Sequence, residues 1–156
     1  MNSQRRPQSP RHRGGAPRAE ARLPSPGTVR YFDGDHLDAA LVDEKAQEWA
    51  ARIRHLSPTQ LRRFFDEVRA IERQYDLAVN RGADRDAAFA AVRPRFKMLK
   101  ARAAYAKGRP GSNVPDDFLQ FMVDHTHAVS TARDFKAFVK HFEAVVAFHK
   151  FLSPGR

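Results

Sequence analysis

Apolar residues recur at spacings of three and four along most of this chain, which is the period of an amphipathic α-helix. The pattern predicts five helices, over about residues 37–53, 57–80, 84–107, 115–130 and 131–152. No segment alternates between apolar and polar residues for long enough to predict a strand, and we find no hairpin signal and no internal repeat. The predicted fold class is therefore all-α, a compact bundle of about five helices.

Local signals indicate where several of these helices begin or break. Ser57 is a suitable N-cap, Pro58 fits the first turn, and Gln60 completes the pattern of a capping box. A second capping box is predicted over residues 131–134. Pro94 lies inside the third helix and is expected to kink or restart it, because proline lacks the N–H that a helix interior needs.

Basic residues are concentrated in two segments of this chain, whose formal net charge is +10. Residues 1–30 contain seven Arg and one Glu, are rich in Pro, Gly and Ser, and have few apolar side chains. Such a segment cannot bury enough surface to offset its ordering entropy, so we expect a disordered arm over 1–30 and a helical domain over 31–156. Residues 93–109 contain seven basic residues and no acidic one. A run of basic residues is typical of a segment that binds nucleic acid, although a solvent-exposed helix face can have the same composition.

Helix three combines this charge with two apolar strips. Its predicted core stripe is Ala88, Phe89, Val92, Phe96, Leu99 and Ala103. On the helical wheel, basic residues line both flanks of the stripe: Arg93, Lys97 and Lys100 on one, Arg95 and Arg102 on the other, with Lys107 and Arg109 towards the end. The second strip is Pro94, Met98, Ala101 and Tyr105. Two strips predict packing on two sides, so helix three is either central in the bundle or in contact with another subunit.

The aromatic residues fall mostly on core stripes, which argues against a base-stacking platform and favours contacts with a phosphate backbone. His125 and His127 are two residues apart and so do not share a helix face, which disfavours a metal site there. No cysteine, phosphate-binding glycine loop or nucleophile elbow occurs. We therefore predict no enzymatic activity, no catalytic residues, no metal and no cofactor.

No apolar run approaches the roughly 20 residues needed to cross a bilayer, and no apolar segment typical of a secretory signal follows the basic N-terminus. We therefore expect a cytoplasmic protein that does not associate with membranes.

Three segments resemble the small subunit of type III-A (Csm-type) CRISPR effector complexes. Residues 57–62 are similar to the family's capped helix entry followed by Arg. Residues 99–109 resemble its Leu-Lys-x-Arg and Tyr-x-x-Gly-Arg segment, and residues 138–151 resemble its closing helix, with Phe148 where the family often has Tyr. The segments occur in the family's order between about residues 37 and 152, so the arm lies outside the resemblance.

The resemblance implies a non-catalytic helical subunit that stacks in copies along the inner filament of the complex. The implied partners are target RNA and crRNA, the backbone subunit, the large polymerase-like subunit and other copies of the chain. The residues to which it assigns RNA binding first are Arg62, Lys100, Arg102 and Arg109. The second candidates for RNA binding are Lys97, Lys107, Lys140 and Lys150. Tyr105 and His149 are instead expected to have a structural packing role. Arg63 has no support beyond its charge.

Two other functions compete with this interpretation. The chain fits a free-standing helical interaction module whose basic segment docks an acidic partner. A regulator that binds double-stranded DNA is disfavoured, because the long predicted helices do not fit a short helix-turn-helix.

Overall fold

Five α-helices make up most of residues 20–153, the part of the chain that the computed structural model describes. They are α1 (Glu44–Arg52), α2 (Pro58–Asn80), α3 (Arg85–Gly108), α4 (Asp116–Ala128) and α5 (Ala132–Leu152). The predicted all-α fold class is confirmed, and the starts of α2 to α5 lie within one residue of their predicted positions. None of these helices is long and apolar enough to cross a membrane.

A small hairpin and a 3-10 helix precede α1. Strand β1 (Phe32–Asp33) pairs antiparallel with β2 (His36–Leu37), and Gly34 in the turn has a φ of 60°, in the left-handed region that favours glycine. This hairpin was not predicted. The 3-10 helix (Ala39–Val42) occupies the first part of the region predicted as helix one, so α1 is shorter than predicted.

Capping bonds account for most of the helix starts. Thr131 and Asp134 form the predicted reciprocal capping box at α5. The hydroxyl of Ser57 accepts a bond from the N–H of Gln60, but the side-chain oxygen of Gln60 is buried without a partner among the described residues, so the second half of that predicted box is missing. Helix α3 continues through Pro94 rather than restarting there.

Helix α5 is the central helix of the bundle, because it packs against α1, α2, α3 and the 3-10 helix. Its phenylalanines form the middle of the core, where Phe138 lies 5.5 Å from Phe96 and 5.7 Å from Phe142 between ring centroids. All six residues of the predicted α3 core stripe are buried. The second α3 strip is exposed, so α3 is not the central helix.

The segment before the hairpin lies along α4. Residues 1–19 of the predicted arm, and residues 154–156, fall outside the described residues. Residues 25–31, which we call the N-terminal strap, have no helix or strand but are hydrogen-bonded to α4. Gly27 donates its N–H to Asp124 Oδ1 at 2.7 Å, and Gln120 Nε2 donates to the carbonyl of Ser25 at 2.9 Å. The boundary predicted at residue 30 thus falls inside a segment that is attached to the helices.

Candidate nucleic-acid interface

The beginning of α2 and the end of α5 enclose a groove of about 480 Å³. Helix α2 contributes Thr59, Arg62 and Arg63 to its wall, and α5 contributes Lys150. The amino end of α2 adds the partial positive charge of its helix dipole. Two residues predicted to bind RNA, Arg62 and Lys150, therefore meet here although they are far apart in the sequence.

The cationic groups at this groove are accessible to a ligand. The side chain of Arg62 is 74% exposed, and its Nε lies 3.5 Å from Asp66 Oδ1, which is the geometry of a weak surface ion pair. Lys150 is exposed as well. A surface ion pair of this kind contributes little energy, so Arg62 is free to exchange a carboxylate for a phosphate oxygen.

Arg63 connects this groove to α3. It lines the groove and also a small depression formed with Phe64, Glu67 and Arg102. Arg63 was not among the residues predicted to bind RNA, because nothing beyond its charge supported it. The bundle places it between the groove and Arg102, which was among the first residues predicted to bind RNA.

Arg95 and Arg102 share the carboxylate of Glu67 unequally. Arg95 donates to both of its oxygens, at 2.7 and 3.1 Å, and this bidentate bond lowers the pKa of Glu67 below its usual value. Arg102 lies 3.9 Å from one oxygen, with 56% of its side chain exposed. Arg95 therefore joins α3 to α2, whereas Arg102 retains an accessible guanidinium.

Arg109 completes the arrangement on the other side of the α2 start. It is the exposed residue that follows α3, and it lines a polar depression with Ser57 and Gln60 of α2. Five residues from three elements thus surround one end of α2. We call them the basic cluster: Arg62, Arg63, Arg102, Arg109 and Lys150.

The remaining four predicted residues lie elsewhere. Lys97 donates to the carbonyl of Thr126 near the end of α4, and burial, followed by the charges of Arg93 and Lys100, lowers its pKa. Lys107 donates to the carbonyl of Val114 at 3.1 Å and lies 2.7 Å from Asp116 Oδ1. Both lysines therefore attach α3 to the α4 region.

Lys100 and Lys140 lie apart from the basic cluster, Lys100 on the opposite flank of α3 from Arg102 and Lys140 further along α5. Lys100 is half-buried on the same flank of α3 as Lys97. Lys140 lies ten residues before Lys150, or about 15 Å along α5, and its Nζ is 3.9 Å from Glu143 Oε2. These two lysines therefore extend the positive surface rather than belong to its centre.

The predicted packing of Tyr105 was wrong, and that of His149 is confirmed. Tyr105 is 73% exposed, because no other element within residues 20–153 covers the outer face of α3, whereas His149 is buried. Met98 on the same face is 53% exposed. The second apolar strip of α3 is consequently a surface feature that lies beside the basic cluster.

A second polar cluster is buried under the N-terminal strap. The rings of His125 and His141 lie 5.1 Å apart, and His141 Nδ1 donates to the carbonyl of Leu41 at 2.5 Å. Burial lowers the pKa of both histidines, and for His125 the proximity of His141 adds to the effect. His127 is exposed on the other side of α4, and no group of three His, Asp or Glu side chains within residues 20–153 could hold a metal ion. This cluster is a structural element of the core.

Comparisons with known proteins identify the family. No curated protein and no solved structure matched the chain. Residues 36–155, well over half of the chain, match the family model described as Csm2 Type III-A. The match begins inside the hairpin, after the N-terminal strap, and contains all five helices and the whole basic cluster. The chain therefore belongs to the Csm2 family of type III-A CRISPR effector subunits.

Proposed function

We propose that this chain is the non-catalytic RNA-binding subunit of a type III-A CRISPR ribonucleoprotein. It lines the inner filament in several copies, beside the backbone subunit and the large polymerase-like subunit, and acts in antiviral defence in the cytoplasm. There it contacts the backbone of target RNA and of the duplex that this RNA forms with crRNA. The observation that supports the proposal is the basic cluster, in which α2, α5 and the end of α3 bring five accessible cations to one end of the bundle.

The proposed mechanism is electrostatic. Guanidinium and ammonium groups neutralise phosphates and release counterions, so binding weakens as the salt concentration rises. Arginine and lysine contacts to the backbone carry no sequence information, and base pairing between crRNA and target supplies the sequence choice. A single subunit with a few such contacts binds weakly, and adjacent copies on one RNA strand gain avidity.

The other predicted residues have secondary roles in this proposal. Lys100 and Lys140 extend the positive surface beyond the basic cluster and meet phosphates elsewhere on the RNA. Lys97 and Lys107 already donate to carbonyl groups of the chain, so their removal is expected to disturb the attachment of α4 as well as RNA binding.

A salt series with two charge-matched variants tests the proposal. The test variant is R62A/R102A/R109A, and the control is R73A/R81A/R85A, which removes three exposed arginines around the far end of α2. Binding to a labelled 40-nucleotide single-stranded RNA is measured by fluorescence anisotropy, and helix content by circular dichroism. Both variants lose the same charge, so a nonspecific effect of net charge reduces binding equally in both.

The cluster variant is expected to bind far more weakly than the control. Its plot of log K against log salt should also be shallower by about 2, since each lost contact to a single strand removes roughly 0.7 from the slope. Equal binding by the two folded variants would refute the assignment of RNA binding to the basic cluster. Preference of the wild type for an acidic peptide over RNA at equal salt would favour the alternative, a helical module that docks an acidic protein.

A further inference from the structure

The outer face of α3 presents an aromatic ring to solvent. Tyr105 and Phe151, at 73% and 78%, are the largely exposed aromatic side chains within residues 20–153. Exposing an apolar ring has a cost in free energy, and a ring beside a functional surface is a candidate contact. Phe151 lies in the last turn of α5, next to Lys150 in the sequence, whereas Tyr105 lies in the middle of a charged helical row.

That row is defined by helical spacing. Met98, Arg102, Tyr105 and Arg109 follow one another at intervals of four, three and four, which places them on one face of α3 and its end. Arg102 precedes the ring by three residues and Arg109 follows it by four, so a cation lies on each side of the ring. Arg63 adjoins Arg102 from α2, which joins the row to the basic cluster.

We propose that Tyr105 is a base-stacking platform, on which one unpaired RNA base lies while Arg102 and Arg109 bind the phosphates on either side. The inference rests on the proposed RNA-binding function and specifies its ligand further. A base inside a duplex has both faces covered by its neighbours, so the ring selects a single-stranded or flipped-out nucleotide. Every base has such a face, so the contact adds affinity without sequence preference.

The charges around the ring favour RNA over a second copy of the chain. Residues 93–109 contain no acidic side chain, and the carboxylate of Glu67, which lies 3.9 Å from Arg102, is held by Arg95. A two-fold contact through this face would bring the arginines of one copy against those of the other, and like charges in an interface are unfavourable. A phosphate backbone supplies the opposite charge on both sides of the ring.

The test compares variants that separate the ring from the cations. Y105L keeps apolar bulk but removes the ring, Y105F keeps the ring, and L77A is a control at an exposed apolar residue in the last turns of α2. Each full-length protein is titrated over a salt series with a labelled 40-nucleotide single-stranded RNA and with an abasic ribose-phosphate oligomer of the same length. Circular dichroism checks that each variant is folded.

Stacking makes a specific prediction. Y105L should weaken binding to the RNA by roughly 5-fold to 150-fold with an unchanged salt slope, because the stacking of one base is worth that much and releases no counterion. Y105F and L77A should bind like the wild type. On the abasic oligomer, the wild type should fall to the affinity of Y105L, and Y105L should lose nothing further.

Three results would overturn the proposal, and they are distinguishable. Equal RNA affinity of Y105L and wild type, with a normal salt slope, would exclude stacking and leave the proposed function intact. Weaker self-association of Y105L by sedimentation equilibrium, with unchanged RNA affinity, would make the ring a contact between copies. Absence of salt-dependent RNA binding by the wild type would refute the proposed function and the stacking site together.

Discussion

The hydroxyl of Tyr31 makes a buried hydrogen bond that joins the N-terminal strap to α4. It lies 2.7 Å from His125 Nδ1, across 94 residues of sequence. Burial, and then the charges of Asp134 and Asp124, raise the pKa of Tyr31, so its hydroxyl stays protonated. His125 Nε2, on the other side of the ring, is a buried atom without a hydrogen-bond partner among the described residues.

The substitution Tyr31→Phe keeps the aromatic ring and removes only this bond. Both nitrogens of the buried His125 ring are then unpaired, and an unsatisfied buried polar group costs about 1–3 kcal/mol. We expect the free energy of unfolding to fall by that amount, which is a substantial fraction of the roughly 5–15 kcal/mol typical of a domain. Urea unfolding at pH 7.5, followed by circular dichroism at 222 nm, measures the change.

Two further proteins make the result interpretable. Tyr75→Phe, at another buried tyrosine, controls for the loss of a hydroxyl as such. In Y31F/H125F both polar partners are replaced by apolar rings, which should recover part of the loss, because no buried nitrogen is left unpaired. If Y31F lay within about 0.5 kcal/mol of the wild type, the bond would not stabilise the strap and this account of the buried cluster would be wrong.

Three more predictions follow from the same structure. Burial lowers the pKa of His125 and His141, so the unfolded chain binds more protons than the folded chain in acid. The free energy of unfolding should therefore have its full value above about pH 6.5 and fall below that pH by about 1.4 kcal/mol per pH unit per histidine. Urea unfolding at pH 7.5, 6.5 and 5.5 measures this dependence, and a flat profile would contradict it. Phe138→Ala should cost about 3–5 kcal/mol in the same assay, and exposed Phe151→Ala much less. Glu67→Gln should strengthen RNA binding and steepen its salt slope, because it removes the carboxylate beside Arg102; weaker binding by the folded variant would argue against a phosphate contact there.

The helices were predictable because their signals are local. The six apolar residues of the α3 stripe repeat at helical spacing, and all six are buried. The hairpin was missed because its strands have only two residues each, too short for any alternation, although Asp33-Gly34 is itself a turn signal. Helix α4 buries the polar residue Asp124, which local periodicity could not predict, because the strap lies against that side of the helix.

The arrangement of the candidate site depends on tertiary contacts and was only partly predictable. The resemblance indicated Arg62 among the first candidates and Lys150 among the second, but only the packing of α2 against α5 brings them to one groove. Lys97 and Arg102 both flank the core stripe on the helical wheel, yet the neighbour of Lys97 is a carbonyl of α4. For Tyr105, the wheel showed a position opposite to the core and could not show whether another element covers it.

The most direct test of the basic cluster is site-specific photo-crosslinking in the assembled effector complex. A benzophenone amino acid is placed at Arg63, within the cluster, or at Arg73, ten residues further along the same helix and exposed. The complex is then irradiated with labelled target RNA. A crosslink to RNA from position 63 and none from position 73 is the predicted result. A crosslink from position 73 alone, or from 63 only to another protein subunit, would contradict the central claim that this end of α2 contacts RNA.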